Sequence, residues 1–136
     1  MADNNKNYFE FLDIPDGSGS TERWYAADAE ASKNVAIVSC TTSALPQTLS
    51  IDTLYNITDA VTTMTLNLPS VSNSTYATGM EVFFTTGSGT PSVTITPASG
   101  DTVAYFSGYQ ISASKSYELN IMWNGAKWVV AYAVIE

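Results

Sequence analysis

The C-terminal segment, residues 115–136, constrains the fold more than any other part of the chain. Apolar and polar residues alternate on both sides of an Asn124-Gly125 pair, and a period of two is typical of strands with one buried face. Asn tolerates a positive φ and Gly adopts it freely, so the pair predicts a type I′ turn between antiparallel strands. We therefore predict a central hairpin that alternates through Tyr117, Leu119, Ile121, Trp123, Trp128, Val130, Tyr132 and Val134.

From residue 34 onward, short apolar stretches alternate with Gly- and Pro-rich turns. Segments 80–86 and 92–96 flank the sequence Gly-Ser-Gly-Thr-Pro, and we expect them to pair with each other as a hairpin. Strands that recur every eight to twelve residues or so are typical of an all-β sandwich or barrel. We find no internal repeat of useful length. The predicted fold is an all-β, antiparallel, jelly-roll-like β-sandwich whose other strands cover residues 36–41, 48–57, 62–68 and 102–106.

The first 33 residues differ in composition from the rest and are predicted to form an N-terminal arm or hairpin. This arm is acidic and aromatic, whereas residues 34–136 are nearly uncharged and form the sandwich domain. An arm of this length is too small to bury its own aromatic side chains, which therefore need a partner surface. The predicted docking residues are Tyr8, Phe9, Phe11, Trp24 and Tyr25.

The charge balance disfavours several classes of partner. With 5 basic and 13 acidic residues, the net charge is −8, so the clustered cations that bind nucleic acid or an anionic membrane surface are missing. No apolar run is long enough to cross a membrane. The N-terminus lacks the basic start and apolar core of a secretory signal. We expect the chain to be made and assembled in a cytoplasm.

Catalytic chemistry finds little support in the residues. The chain has no histidine, which excludes a Ser-His-Asp triad and a histidine zinc site. The single cysteine, Cys40, is read as a small core residue. The spacing pairs no two of the carboxylates in the body, and two of them (Asp59 and Asp101) are expected in turns, so we predict no enzyme activity, no metal and no cofactor. The candidates among those carboxylates are Asp52, Asp59, Glu81, Asp101 and Glu118.

Carbohydrate binding is the alternative that the aromatic residues leave open. β-Sandwiches can stack sugars on exposed rings, and the candidate glycan contacts are Tyr105, Tyr109, Trp123 and Trp128. The two tryptophans flank the predicted hairpin turn, however, where they would also suit core or cross-strand packing. We favour the packing interpretation for that pair.

Three segments of the body resemble β-sandwich modules at the C-termini of fibre and appendage proteins of tailed bacteriophages. They are LYNITDAVTTMTLNLP (54–69), GMEVFFTTGSGTPSVTITP (79–97) and ISASKSYELNIMWNGAKWVV (111–130). The N-terminal YFEFLDIPDGSGSTERWYAADAEA is similar to short leaders of phage virion proteins, although Ser32 stands where such leaders carry Arg. The resemblance implies a leader that attaches the protein to the virion, and homotrimeric assembly.

The resemblance implies a structural component of a tailed-phage virion. The expected protein is a short trimeric fibre or capsid decoration protein, docked to other virion proteins of the head or tail by residues 1–33. Its expected location is the virion, after assembly in the host cytoplasm. The alternative is a receptor-binding module of a tail appendage that binds a host-surface glycan.

Overall fold

The computed structural model describes residues 35–71 and 74–135. Strands account for 52% of them, and their one helical element is a 3-10 turn at Thr42–Ala44. The described part of the chain is therefore nearly all β, as predicted. The strands are β1 (Ala36–Cys40), β2 (Thr53–Val61), β3 (Thr63–Asn67), β4 (Thr78–Thr86), β5 (Ser92–Thr96), β6 (Val103–Tyr105), β7 (Ser116–Trp123) and β8 (Trp128–Val134).

The strands form a six-stranded sheet, in the order β1-β2-β4-β7-β8-β6, and a two-stranded sheet of β3 and β5. In the larger sheet β1, β2 and β4 are parallel neighbours, so that Ile37 lies beside Leu54 and Leu54 beside Glu81. In the smaller sheet β3 and β5 are also parallel, with Leu66 beside Ile95. Each passage of the chain through both sheets thus stacks on the previous passage in the same direction.

These successive passages are the coils of a β-solenoid of about three turns. The second coil consists of β2 and β3, and the third consists of β4 and β5. The first coil has β1 in the larger sheet, and its Leu49 backbone N–H extends the smaller one by donating to Asn67 O at 2.8 Å. Coil stacking also continues at Leu68, whose N–H donates to Thr96 O at 2.8 Å.

The predicted antiparallel sandwich is wrong, and the predicted pairing of segments 80–86 and 92–96 shows the reason. The turn between them does not fold β5 back onto β4. Instead it carries the chain around a corner into the smaller sheet, where β5 pairs with β3, while β4 pairs with β2 and β7. Parallel neighbours need a long crossover connection, and here the rest of each coil supplies it. The internal repeat that we did not find in the sequence is the repeat of these coils.

The C-terminal hairpin is confirmed, but its predicted turn type is wrong. β7 and β8 pair antiparallel from Tyr117 opposite Val134 to Trp123 opposite Trp128. Gly125 has a positive φ of 98°, whereas Asn124 does not have the positive φ that a type I′ turn would require. The Asn124 side chain closes the loop by accepting hydrogen bonds from the N–H groups of Ala126 and Lys127, both at 2.9 Å.

One hydrophobic core lies between the two sheets and contains the inward residues of both. Val82 from β4, Leu66 from β3 and Trp128 from β8 are fully buried in it. Burial of an aliphatic or aromatic side chain of this size contributes about 1.5–3 kcal/mol to folding. β7 buries every second residue, as predicted, and β8 buries Trp128 and Val130, whereas Tyr132 is half-buried and Val134 is exposed.

The predicted N-terminal arm lies outside the described residues. This applies to its docking residues Tyr8, Phe9, Phe11, Trp24 and Tyr25. The predicted boundary between residues 33 and 34 also falls outside the described part, which begins at Val35. The arm and its boundary remain predictions from the sequence.

Candidate functional site

An aromatic surface at the β6 end of the larger sheet contains two of the predicted glycan contacts. Tyr105, at the end of β6, is 45% exposed, and its ring centroid lies 4.6 Å from that of Tyr109. Tyr109 in turn meets Tyr132 of β8 edge-on at 5.4 Å. The Tyr132 hydroxyl donates a 2.6 Å hydrogen bond to the carbonyl oxygen of Gly108, which holds the Tyr109 loop against β8. The neighbouring Phe106 is 55% exposed. We call Tyr105, Phe106, Tyr109 and Tyr132 the aromatic surface.

Tyr109 is half-buried, like Tyr132, and its hydroxyl group is buried. Its oxygen is buried and has no hydrogen-bond partner among the described residues. Burial raises the pKa of Tyr109 to about 12, with smaller contributions from Tyr105 and Tyr117. Tyr109 therefore keeps its proton to a higher pH than an ordinary tyrosine, and Tyr105 is the member of this pair with an exposed ring.

The two tryptophans predicted as further glycan contacts are core residues. Trp123 and Trp128 are opposite one another at the end of the hairpin, with ring centroids 5.8 Å apart in an edge-to-face arrangement. Both are buried, and Trp123 Nε1 donates to Ser74 O at 3.3 Å. The sequence had favoured this cross-strand packing. A buried ring offers no face for a sugar, so Tyr105 and Tyr109 are the candidates left from that set.

At the opposite end of the larger sheet, β1 exposes apolar side chains. None of its residues is buried. Ile37 is 70% exposed and the preceding Val35 is 53% exposed, and Val38, which pairs with the core residue Tyr55, is still 37% exposed. Among the described residues the first coil has a neighbour on one side only, so its side chains are packed on one side only.

The structure brings two of the five candidate carboxylates to one depression on the outer face of the larger sheet. This cavity has a volume of about 200 Å³, and Asp52, Glu81 and Asn120 are among its lining residues. Asn120 lies directly opposite Glu81 in the pairing of β4 with β7, and its Oδ1 atom is buried without a hydrogen-bond partner in the described part of the chain. Sequence spacing did not pair Asp52 with Glu81, because β2, which follows Asp52, and β4, which contains Glu81, become neighbours only when the coils stack.

The other carboxylates are spread over the surface. Glu118 is half-buried on the outer face of β7, as its position in the alternation predicted. Asp101 lies in the turn before β6, also as predicted, with one buried carboxylate oxygen that lacks a partner among the described groups. Asp59 was expected in a turn but lies within β2, beside a register irregularity between Asn56 and Ala60.

Cys40 and Asp59 are neighbours at the end of β1, and their environment disfavours thiol chemistry. Partial burial raises the pKa of the Cys40 thiol, and the negative charge of Asp59 raises it further. Because the thiolate is the reactive form of cysteine, this environment lowers its reactivity. Cys40 is half-buried against the hydrophobic core, which agrees with its expected role as a small apolar residue.

Two further observations bear on possible ligands and location. Within residues 35–71 and 74–135, no group of three or more His, Cys, Asp and Glu side chains is arranged to hold a metal ion. The same residues include no long apolar helix of the kind that spans a membrane.

Comparison of the chain with protein-family models, curated proteins and solved structures finds no match.

Proposed function

We propose that the protein is a structural component of a tailed-phage virion, a short trimeric fibre or capsid decoration protein. The observation that carries this proposal is the first coil, whose Ile37 and Val35 remain exposed among the described residues. A row of exposed apolar residues on a terminal strand is a hazard for a free monomer, whereas a subunit of a symmetric assembly covers such a surface on a neighbouring copy. The sequence resemblance of residues 54–69, 79–97 and 111–130 to phage appendage proteins supports the same function.

In this proposal residues 1–33 attach the protein to the capsid or tail, and the solenoid projects from the particle. The five aromatic side chains predicted for docking are the attachment residues. The fold differs from the sandwich that the resemblance implied, but the proposed role needs only a rigid, self-associating body. A β-solenoid supplies this because each coil is hydrogen-bonded to the next along its length.

Deletion of residues 1–30 tests the attachment. The truncated protein is expected to remain folded, soluble and trimeric, and to be missing from purified particles, while the full chain is incorporated. Immunogold electron microscopy with an antibody against the solenoid would show the position on the particle. Normal decoration of particles by the truncated protein would overturn the attachment role of the arm.

Host-glycan binding is the second candidate, and the aromatic surface is the observation that favours it. Tyr105 offers an exposed ring beside Tyr109, and exposed aromatic rings are suitable for stacking against the apolar face of a sugar. A glycan array probed with the full chain and with Tyr105→Ala would test it. Binding that is lost in the variant would support a receptor-binding role, and an array without hits for the full chain would exclude it for the glycans tested.

A further inference from the structure

The larger sheet ends in two strands that run in the same direction. β1 and β6 are its terminal strands among those described. β1, β2 and β4 are mutually parallel, the direction reverses at β7, it reverses again at β8, and β6 is parallel to β8. A strand added in parallel beside β1 would therefore point the same way as β6.

Both terminal strands lack three of the features that normally prevent an edge from pairing, although β6 is short. Sheet edges are commonly protected by charged residues, by proline or by bulges. The sequences Ala36–Cys40 and Val103–Tyr105 contain neither a charge nor a proline. The pairings of β1 with β2 and of β6 with β8 are both continuous in register.

Exposed apolar side chains lie at both edges. Val35 and Ile37 are 53% and 70% exposed at the β1 edge, and Tyr105 and Phe106 are 45% and 55% exposed at the β6 edge. Each edge therefore combines a backbone that can form a strand ladder with side chains that gain from burial. The two edge strands, β1 and β6, also run in the same direction.

We infer that β1 of one copy pairs in parallel with β6 of a second copy of this chain. The inference deepens the proposed trimer and rests on it. In a closed ring of three copies each subunit meets its two neighbours through different surfaces, because the contact is heterologous. The two edges supply such a pair of surfaces. The added ladder between β1 and β6 would be parallel, like the existing pairing of β1 with β2 and of β6 with β8. The ladder is short, since β6 has 3 residues, and the apolar side chains beside it add to the contact.

Single charge substitutions at each edge, followed by mixing, test this arrangement. Ile37→Lys alters the β1 edge and Phe106→Lys alters the β6 edge. Both positions are mostly exposed, so far-ultraviolet circular dichroism should show an unchanged fold. The matched control is Met122→Lys, which replaces an exposed apolar side chain on the central strand β7.

Light scattering should give the wild-type chain and the control a mass three times that of the 14.6 kDa monomer. Each edge variant alone should lose this trimer. An equimolar mixture of the two edge variants retains one intact β1 and one intact β6, so it should form a dimer that neither variant forms alone. Amide hydrogen exchange should show β1 protected in the wild-type trimer and unprotected in the Phe106→Lys protein, which carries an unaltered β1.

The possible failures separate the inference from the proposed function. Trimers that survive both edge substitutions would overturn the edge pairing and leave the trimer intact. A loss of trimer in Ile37→Lys, with no dimer in the mixture, would mean that β1 pairs with its own symmetry copy or with another surface, and would also overturn it. A monomeric wild-type chain would overturn the trimer itself, and the edge pairing with it.

Discussion

The hydroxyl of Tyr55 accepts a 2.7 Å hydrogen bond from the backbone N–H of Ser50, and the same relationship recurs between Tyr117 and Ser112, also at 2.7 Å. Each tyrosine is buried near the start of a strand, β2 or β7. The bond closes the irregular turn that leads into the strand. The two sequences, LSIDTLY at 49–55 and ISASKSY at 111–117, share the Ser and Tyr positions.

Both turns also contain a residue with positive φ at the same place. Asp52 and Ser114 each have a φ of 56°, a conformation that costs an L-residue about 1–2 kcal/mol. The N–H of Asp52 donates to Gly79 O at 2.7 Å, and the N–H of Ser114 donates to Gly87 O at 2.9 Å. The two turns thus anchor the chain to opposite ends of β4, and the tyrosine hydroxyls stabilise the conformation that this anchoring requires.

Replacement of Tyr117 by Phe should lower the free energy of unfolding by about 1–3 kcal/mol. The variant leaves the Ser112 N–H without its acceptor, and an unsatisfied buried donor costs that much. Urea denaturation would measure the change. Tyr76→Phe is the control, because Tyr76 is 80% exposed, and a change there should stay within about 0.5 kcal/mol. Equal effects of the two substitutions would show that the Tyr117 hydroxyl bond does not stabilise the turn.

Thr86→Val should destabilise the protein by a similar amount, for a different reason. The buried Thr86 hydroxyl donates to Ser112 O at 2.7 Å and accepts from the Lys115 N–H at 3.0 Å. Valine keeps the shape but leaves both groups without that partner, at a cost of about 1–3 kcal/mol. Thr85→Val is the matched control, since the exposed Thr85 hydroxyl bonds only the Ser116 hydroxyl, at 2.8 Å. Thermal or urea unfolding that ranks Thr85→Val as the more damaging change would contradict this role.

Gly79→Ala should weaken the pairing of β4 with β7. A Cβ atom at Gly79 would overlap the carbonyl oxygen of Ile121 and crowd the Met122 side chain. Because the obstacle is backbone, the strands must separate, and overpacking of this kind costs about 1–3 kcal/mol. At Gly89 a Cβ would meet nothing within 4 Å, so Gly89→Ala should leave the unfolding midpoint nearly unchanged. A stable Gly79→Ala protein would show that β4 does not approach β7 this closely.

Asp59→Asn should reduce the loss of stability in acid. Asp59 accepts hydrogen bonds from the Thr42 N–H at 2.9 Å and from the Thr42 hydroxyl at 2.8 Å, and these lower the pKa of its carboxyl below 3.8. A lowered pKa in the folded state contributes stability above the unfolded value, and this contribution is lost as the pH falls through the folded pKa. Guanidinium unfolding between about pH 5 and pH 2 should therefore show a shallower decline for the variant. Asp52→Asn is the control, because Asn tolerates positive φ and the Asp52 carboxylate accepts no hydrogen bond from the described residues. If the stability of Asp59→Asn declined as steeply in acid as that of the wild type, Asp59 would not be a cause of the acid sensitivity.

Tyr109→Phe should leave the protein equally stable or make it more stable at neutral pH. The variant removes a buried hydroxyl that has no hydrogen-bond partner in the described residues, and burial of such a group is unfavourable. The raised pKa of Tyr109, about 12, also means that the unfolded chain loses its proton first as the pH rises above about 10. Stability should then fall between about pH 10 and pH 12 in the wild type and fall less in the variant, as measured by urea unfolding. A strongly destabilised Tyr109→Phe protein would indicate that the hydroxyl has a partner after all.

The strands with clear alternation were the part of the fold that sequence reasoning could predict. The predicted range 92–96 coincides with β5, and the predicted faces of the hairpin place Leu119, Ile121 and Trp128 in the core. The repeat of the coils is also visible in the sequence. Met64-Thr65-Leu66-Asn67 and Val93-Thr94-Ile95-Thr96 share a pattern, and the structure pairs them residue by residue.

The candidate surfaces depended far more on the fold than on the residues. Tyr105 and Tyr109 could be named from the sequence as aromatic candidates, but their contact forms only in the fold, where the Tyr132 hydroxyl also bonds Gly108 in the intervening loop. The exposure of Ile37 could not be predicted, because the segment around it has the composition of a buried strand. Ile37 is exposed because it lies on the outer face of the sheet, in one row with Leu54 and Glu81, and because β1 is a terminal strand among those described.

The amino-acid sequence by itself determined that the described chain is built of strands, and which side of the C-terminal strands faces the core. Side-chain alternation carries that information, because successive residues of a strand point to opposite faces. Only the tertiary structure decided which strands become neighbours and in which direction they run. Backbone hydrogen bonds form between parallel strands and between antiparallel strands. The pairing therefore depends on the corner after β4, which leads the chain into the second sheet of a solenoid.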